Sequence, residues 1–203
     1  QAILDDDREQ DFEEILAQIK QRYDEIIRGL NLELSLEEEF KVIRENFCKI
    51  IGRGYAASRG EYLNGIIMAA YLGYTFIDAA EVICFNENGE FAAELTNNTL
   101  TARLEDIDCA VIPGFYGALP DGKVKTFSRG GSDVTGSIVS RAVQADIYEN
   151  WTDVSGFLIA DPRIIPNART IDVITYRELR ELSYMGATVL HEDAIFPVKK
   201  AGI

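Results

Sequence analysis

Apolar residues recur at steps of three and four between residues 5 and 30, where Phe12, Ile15, Leu16, Ile19, Tyr23, Ile26, Ile27 and Leu30 share one helical face. This spacing predicts a long amphipathic helix. Ser35-Leu36-Glu37-Glu38 has the form of a capping box, and Leu36, Phe40, Ile43, Phe47 and Ile50 carry the helical step onward, so a second helix is expected behind it. The acidic residues fall between the apolar ones and read as the solvated faces of this pair. Gly52-Arg53-Gly54 interrupts the pattern. A third helix is expected over residues 58–72, with Leu63, Ile66, Ile67 and Ala70 on one side. Ser58-Arg59-Gly60-Glu61 also fits a capping box, which makes Glu61 a first-turn acid on local pattern alone.

Beyond residue 73 the pattern alternates. Strands are expected at 74–78, 82–85 and 109–112, a turn at 86–89 and a helix at 98–105. Pro120-Asp121-Gly122 lies between two β-type runs, 115–119 and 123–127, as the turn of a hairpin. A helix over 134–145 and a short strand over 146–151 follow. That strand would deliver Thr152-Asp153 at its C-terminal end, the edge where open α/β sheets bind ligands. Thr175-Tyr176-Arg177-Glu178 is another capping box, opening a helix that runs to about Met185 and ends at Gly186; a last helix is expected near 191–200. Strands alternating with helices imply a layered α/β sheet.

With 203 residues, 47% of them hydrophobic, the chain can bury a full core. Its net charge of −14 is uneven: residues 1–47 hold 14 acidic and 6 basic side chains, whereas residues 123–203 hold 10 of each. The C-terminal part therefore need not repel an anion. The acidic balance and the lack of a Lys/Arg cluster argue against nucleic acid or an anionic membrane as partner. Cys48, Cys84 and Cys109, odd in number and in apolar surroundings, read as reduced core thiols of a cytoplasmic protein. One histidine and no CxxC or HExxH leave no zinc site to propose. No apolar run approaches about 18 residues, and the N-terminus does not read as a signal peptide.

The stretch with the most chemical content is Thr126-Phe127-Ser128-Arg129-Gly130-Gly131-Ser132-Asp133, a strand passing through two glycines into a helix start. Free N–H groups of a first helical turn suit an anion, and a guanidinium beside them suits carboxylate or phosphate. The plain alternative is a surface turn followed by a Ser/Asp cap. P-loop, GxSxG and GxGxxG motifs are all missing, and His191 reads as structural. What remains are groups able to serve phosphoryl transfer by positioning and charge neutralisation.

Here the residues resemble those of the aspartokinases, within the amino acid kinase family. The resemblance is carried by Ser58-Arg59-Gly60-Glu61-Tyr62-Leu63, by Thr126 through Gly136, by Thr152-Asp153-Val154-Ser155-Gly156 with Asp161-Pro162-Arg163, and by Gly186-Ala187-Thr188-Val189-Leu190-His191. In order, these segments span about two thirds of the chain. Arg-Gly-Gly-Ser-Asp is the most specific of them.

The resemblance implies a three-layer α/β sandwich of the carbamate kinase-like type, with a mainly parallel central sheet and helices on both faces. One partial catalytic domain would fill residues 1–203, made of an acidic helical excursion at 1–51, an amino-acid-substrate part at 52–145 and a nucleotide part at 146–203. The activity implied is transfer of the ATP γ-phosphoryl group to the β-carboxylate of L-aspartate, which begins lysine, threonine and methionine synthesis. By similarity, Arg129 holds the aspartate α-carboxylate and Glu61 its ammonium group. Gly130, Gly131 and Ser132 line that pocket, and Asp133 orders the catalytic centre. Thr152, Asp153, Phe157, Leu158, Arg163, Thr188 and Val189 match ATP-contacting positions. Mg²⁺ is expected on the nucleotide phosphates, with no protein ligand named, and the full-length protein is expected to be a cytoplasmic homo-oligomer.

The family's N-terminal Lys-Phe-Gly-Gly loop and its C-terminal regulatory domains have no counterpart in these residues, so the chain reads as an internal fragment with little or no turnover of its own. Leu158 stands where the family often has tyrosine, Thr188 where it often has lysine and Ser155 where proline is common. The competing readings are a relative acting on glutamate, acetylglutamate or a nucleotide, and a non-catalytic ligand-binding or assembly module.

Overall fold

A computed structural model of the chain describes residues 9–49, 51–128, 130–151, 156–161, 164–165, 167–184 and 195–203. The chain packs as two compact units, Gln1–Thr126 and Phe127–Ile203.

In the first unit, helix α1 (Glu9–Gly29) and helix α2 (Glu37–Cys48) pack on helix α3 (Arg53–Leu72). Ile27, Leu36, Phe40, Ile43, Leu63 and Ile67 form their common buried cluster. The apolar stripe of α1 is narrower than its sequence predicts, because Ile15 and Ile19 remain more than 40% exposed. Ion pairs between α1 and α2 flank the seam: Arg44 meets Glu13 at 2.6 Å, and Lys20 meets Glu37.

The expected capping boxes at the second and third helices do not form. Ser35 accepts a 3.4 Å bond from the Glu37 N–H, but Leu36 occupies the cap position of α2 with no side-chain cap. Helix α3 starts five residues before the predicted Ser58. Its first turn is fixed by tertiary contacts: Tyr55 is buried edge-on to Phe47, with ring centroids 6.0 Å apart, and its hydroxyl accepts a 2.9 Å bond from Asn46 Nδ2. Packing of this kind overrides local cap chemistry. Glu61 is therefore well inside the helix.

Strand β1 (Thr75–Phe76) pairs in parallel with β2 (Ala110–Val111), and strand β3 (Tyr116–Ala118) pairs antiparallel with β4 (Val124–Thr126). The last two form the predicted hairpin, closed by Leu119 N–H to Lys123 O at 2.9 Å. The predicted strand at 82–85 is instead the end of a one-turn helix, α4 (Ala79–Val82), followed by a parallel bridge from Cys84 to Ala118. Asp78 explains the change, since its carboxylate caps α4 by accepting the Ala80 N–H at 3.0 Å. Helix α5 (Ala93–Leu104) also begins five residues earlier than its pattern suggests, with Thr96 and Leu100 fully buried.

In the second unit, helix α6 (Gly131–Ala142) packs against helix α8 (Ile195–Ala201), and Val134, Ile138 and Ala142 of the first and Ile195 and Val198 of the second are buried. The strand expected at 146–151 is absent. Those residues pair with no strand among the described ones, and Ile147 and Trp151 are highly exposed. Residues 157–159 and 169–171 run antiparallel instead, joined by Ile171 N–H to Phe157 O at 2.8 Å and Ile159 N–H to Arg169 O at 2.9 Å. Helix α7 (Tyr176–Tyr184) has the predicted capping box in full. The Thr175 main-chain N–H and hydroxyl donate to Glu178 Oε2 at 2.9 and 2.7 Å, and the Glu178 N–H returns to Thr175 Oγ1 at 3.3 Å.

The cysteines depart from expectation. Cys48 and Cys109 are exposed and only Cys84 is partly covered; all three are free. Among the described residues, no helix is long and apolar enough to cross a membrane, and no cluster of His, Cys, Asp or Glu could hold a metal ion.

Candidate functional site

Glu61 lies exposed on α3, in the first unit. The turn that carries it is braced from within. Ser58 is fully buried and its hydroxyl donates to the Tyr55 carbonyl at 2.8 Å. Arg59, only 8% exposed, donates from Nε and Nη2 to Ser58 Oγ at 3.2 and 3.0 Å. Its guanidinium carbon lies 4.4 Å from the Tyr55 ring centroid, 4.3 Å from that of Tyr62 and 5.6 Å from that of Tyr116. Three aromatic faces thus surround the guanidinium, an arrangement that stabilises a desolvated cation.

Tyr116 extends this network. Its fully buried hydroxyl donates to Asp78 Oδ1 at 2.7 Å, and burial together with the Asp78 charge pushes the phenol pKa well up. Burial likewise raises the pKa of Tyr62, with Asp78 adding to it. On the outer side of the helix, the Tyr23 hydroxyl reaches the Gly60 carbonyl at 3.2 Å.

The second unit carries Gly130, Gly131, Ser132 and Asp133. Gly130 has φ 56°, a left-handed conformation that lets the chain turn sharply into α6 without a Cβ clash. The Ser/Asp cap considered from sequence does not form, since Gly130 holds the cap position and no side chain caps the helix. Ser132 is exposed in the first turn, Gly131 is buried, and Asp133 is half-buried. The free N–H groups of this turn and the helix dipole make it suitable for negative charge. Tyr148 anchors the turn from the side: its hydroxyl donates to the Asp133 main-chain carbonyl at 3.1 Å. Burial, with help from the Asp133 charge, pushes the Tyr148 pKa up to about 12. Phe157 and Leu158 sit half-buried in the paired segment 157–159, with Leu158 bridged to Thr170.

Arg129, Thr152, Asp153, Arg163, Thr188 and Val189 lie outside the described residues. The structure brings Gly130 to Asp133 together as one turn, and it places Glu61 in the other unit. Sequence reading overlooked Arg59, Tyr116, Asp78, Tyr23 and Tyr148. For Arg59 a signal was present: Tyr55 and Tyr62 flank it at i−4 and i+3, the spacing that stacks side chains on one helical face. The remaining partners come from distant elements, and no spacing rule reaches them.

The model of the amino acid kinase family matches residues 6–203. Among curated proteins, Aspartokinase 3 of Bacillus subtilis is 41% identical over 152 residues, which is 71% of this chain and 34% of that protein. Among solved structures, Clostridium acetobutylicum aspartate kinase superposes with a TM-score of 0.85 at 53% identity, covering 94% of this chain and 43% of that one. The T-state structure of Escherichia coli aspartokinase III in complex with lysine and aspartate gives a TM-score of 0.68 at 26% identity, over 96% of this chain and 47% of that one. The chain thus spans about a third of the Bacillus relative and under half of each solved chain. These likenesses bear out the α/β sandwich expected from the sequence. With a match that runs over nearly every residue, the chain belongs to the amino acid kinase family.

Proposed function

We propose that this chain is the central part of an aspartate kinase catalytic domain, transferring the γ-phosphoryl group of ATP to the β-carboxylate of L-aspartate. The observation that carries the reading is the 53% identity to the Clostridium aspartate kinase over 94% of the chain. In the reaction, a β-carboxylate oxygen attacks the γ-phosphorus in line, the bond to the β–γ bridging oxygen breaks, and ADP leaves with that electron pair. The products are aspartyl phosphate and ADP.

In this reading each end of the amino acid meets opposite charge. Arg129 takes the α-carboxylate through its forked guanidinium, and Glu61 takes the ammonium group. Gly130 and Gly131 let the backbone approach closely, Ser132 lines the pocket, and Asp133 orders the turn where the acceptor sits. The first-turn N–H groups of α6 add fixed positive potential, which is worth more as water is excluded. Thr152, Asp153, Phe157, Leu158, Arg163, Thr188 and Val189 form the nucleotide side. Mg²⁺ would neutralise phosphate charge. Asp133 is the one carboxylate of the 130–134 segment, which suits an ion carried by phosphates and water rather than a protein cage. The same reading implies a cytoplasmic enzyme that is a homo-oligomer at full length.

The test uses the protein expressed from its complete reading frame. Arg129→Ala should raise the aspartate KM at least about tenfold while changing the ATP KM little, the loss of a charge-assisted pair. An aspartate KM left unchanged would remove the assigned role. Turnover of glutamate, but not aspartate, in a substrate panel would overturn the activity itself.

A further inference from the structure

We propose that Tyr23, on the acidic helix α1, is a positioning residue for Glu61: its hydroxyl grips the Gly60 carbonyl and holds the turn of α3 that presents Glu61 to the substrate ammonium. The inference rests on the reading of Glu61 as the ammonium-binding carboxylate. It gives the helical excursion a task in aspartate affinity although the substrate-binding residues proposed above all lie outside α1.

The geometry supports it at three levels. The excursion is mounted on α3 directly, because Ile27, Leu36, Phe40 and Ile43 share a buried cluster with Leu63 and Ile67, just beyond Glu61 in the chain. The Tyr23 ring is itself held, edge-on to the buried Phe40 with centroids 5.9 Å apart and an interplanar angle of 64°. Its hydroxyl donates to Gly60 O at 3.2 Å, an outer hold that adds to the bracing of the same turn from within by Ser58 and Arg59. Burial raises the Tyr23 phenol pKa, and the Glu61 charge adds to it. The phenol nevertheless spends its proton on the backbone. Among the described residues, none pairs with the Glu61 carboxylate, which leaves that group available to a cation. A helix already hydrogen-bonded along its own axis gains from this extra bond a fixed docking angle, and the position of Glu61 follows from that angle.

The experiment uses the full-length enzyme. Tyr23→Phe removes the hydroxyl and keeps the ring against Phe40, so the fold is retained. The aspartate KM should rise about three- to tenfold, the worth of one hydrogen bond, with the ATP KM and kcat within about twofold of the parent. Leu100→Ala empties a fully buried site in α5, apart from the Tyr23, Phe40 and Gly60 contacts; it should lower Tm and leave the aspartate KM unchanged. An unchanged aspartate KM in Tyr23→Phe, or an equal rise in Leu100→Ala, overturns the proposal. Glu61→Gln separates the two layers of the argument. If it raises the aspartate KM while Tyr23→Phe does not, only the positioning role fails; if it too is silent, the assignment of Glu61 fails and the positioning role with it.

Discussion

The Tyr116 hydroxyl donates to the same Asp78 oxygen that caps helix α4, at 2.7 Å from the phenol and 3.0 Å from the Ala80 N–H. One carboxylate thus ties β3 to the start of α4. Tyr116 is also the third ring around the Arg59 guanidinium, so this hydrogen bond braces the floor beneath the Ser58–Glu61 turn. Tyr116→Phe keeps the ring and removes the bond. Unfolding in urea should show a loss of about 2 kcal/mol, the range for a buried hydrogen bond to a charged acceptor. A loss below about 0.5 kcal/mol would mean that Asp78 is satisfied without the phenol.

Tyr148 sets an alkaline limit on the second unit. Its pKa is raised from the ordinary 10.0 to about 12 by burial and the Asp133 charge. A folded-state pKa above the unfolded one means that the unfolded chain loses its proton first. The contribution of Tyr148 is therefore intact below pH 10 and is lost as the pH rises from 10 towards 12. Thermal melts of the parent and Tyr148→Phe across this window should show a shallower decline in the variant. Parallel curves would contradict the assignment.

Gly117 is where β3 touches the segment after α4. A Cβ built there would meet the Ile83 carbonyl oxygen at 2.2 Å and the Ile83 Cβ at 2.7 Å. The carbonyl cannot yield, because it accepts the Ala118 N–H at 2.9 Å as part of the Cys84–Ala118 bridge. Gly117→Ala should cost about 3 kcal/mol or more, or abolish soluble expression. A near-parental Tm would show that these two segments can separate without loss.

Where short-range chemistry decides the outcome, the residues themselves were enough. Helix α1, the Pro120–Gly122 hairpin turn, the reciprocal Thr175–Glu178 cap and the glycine turn into α6 all follow from spacing or from groups within four residues of one another. Family membership was legible for the same reason, since Arg-Gly-Gly-Ser-Asp is contiguous and its order along the chain is fixed.

Tertiary structure decided the rest. Ser58-Arg59-Gly60-Glu61 reads as a helix start in isolation, but Tyr55, pinned by Phe47 and Asn46, carries the helix back to Arg53 and turns Ser58 from a cap into a buried brace. Residues 82–85 have the composition of a strand, yet the Asp78 cap winds their start into a turn of helix. The aromatic cage of Arg59 needs Tyr116, which is 57 positions away in the chain. Local pattern weighs only neighbours in sequence; these features depend on burial and on partners that folding alone brings within reach.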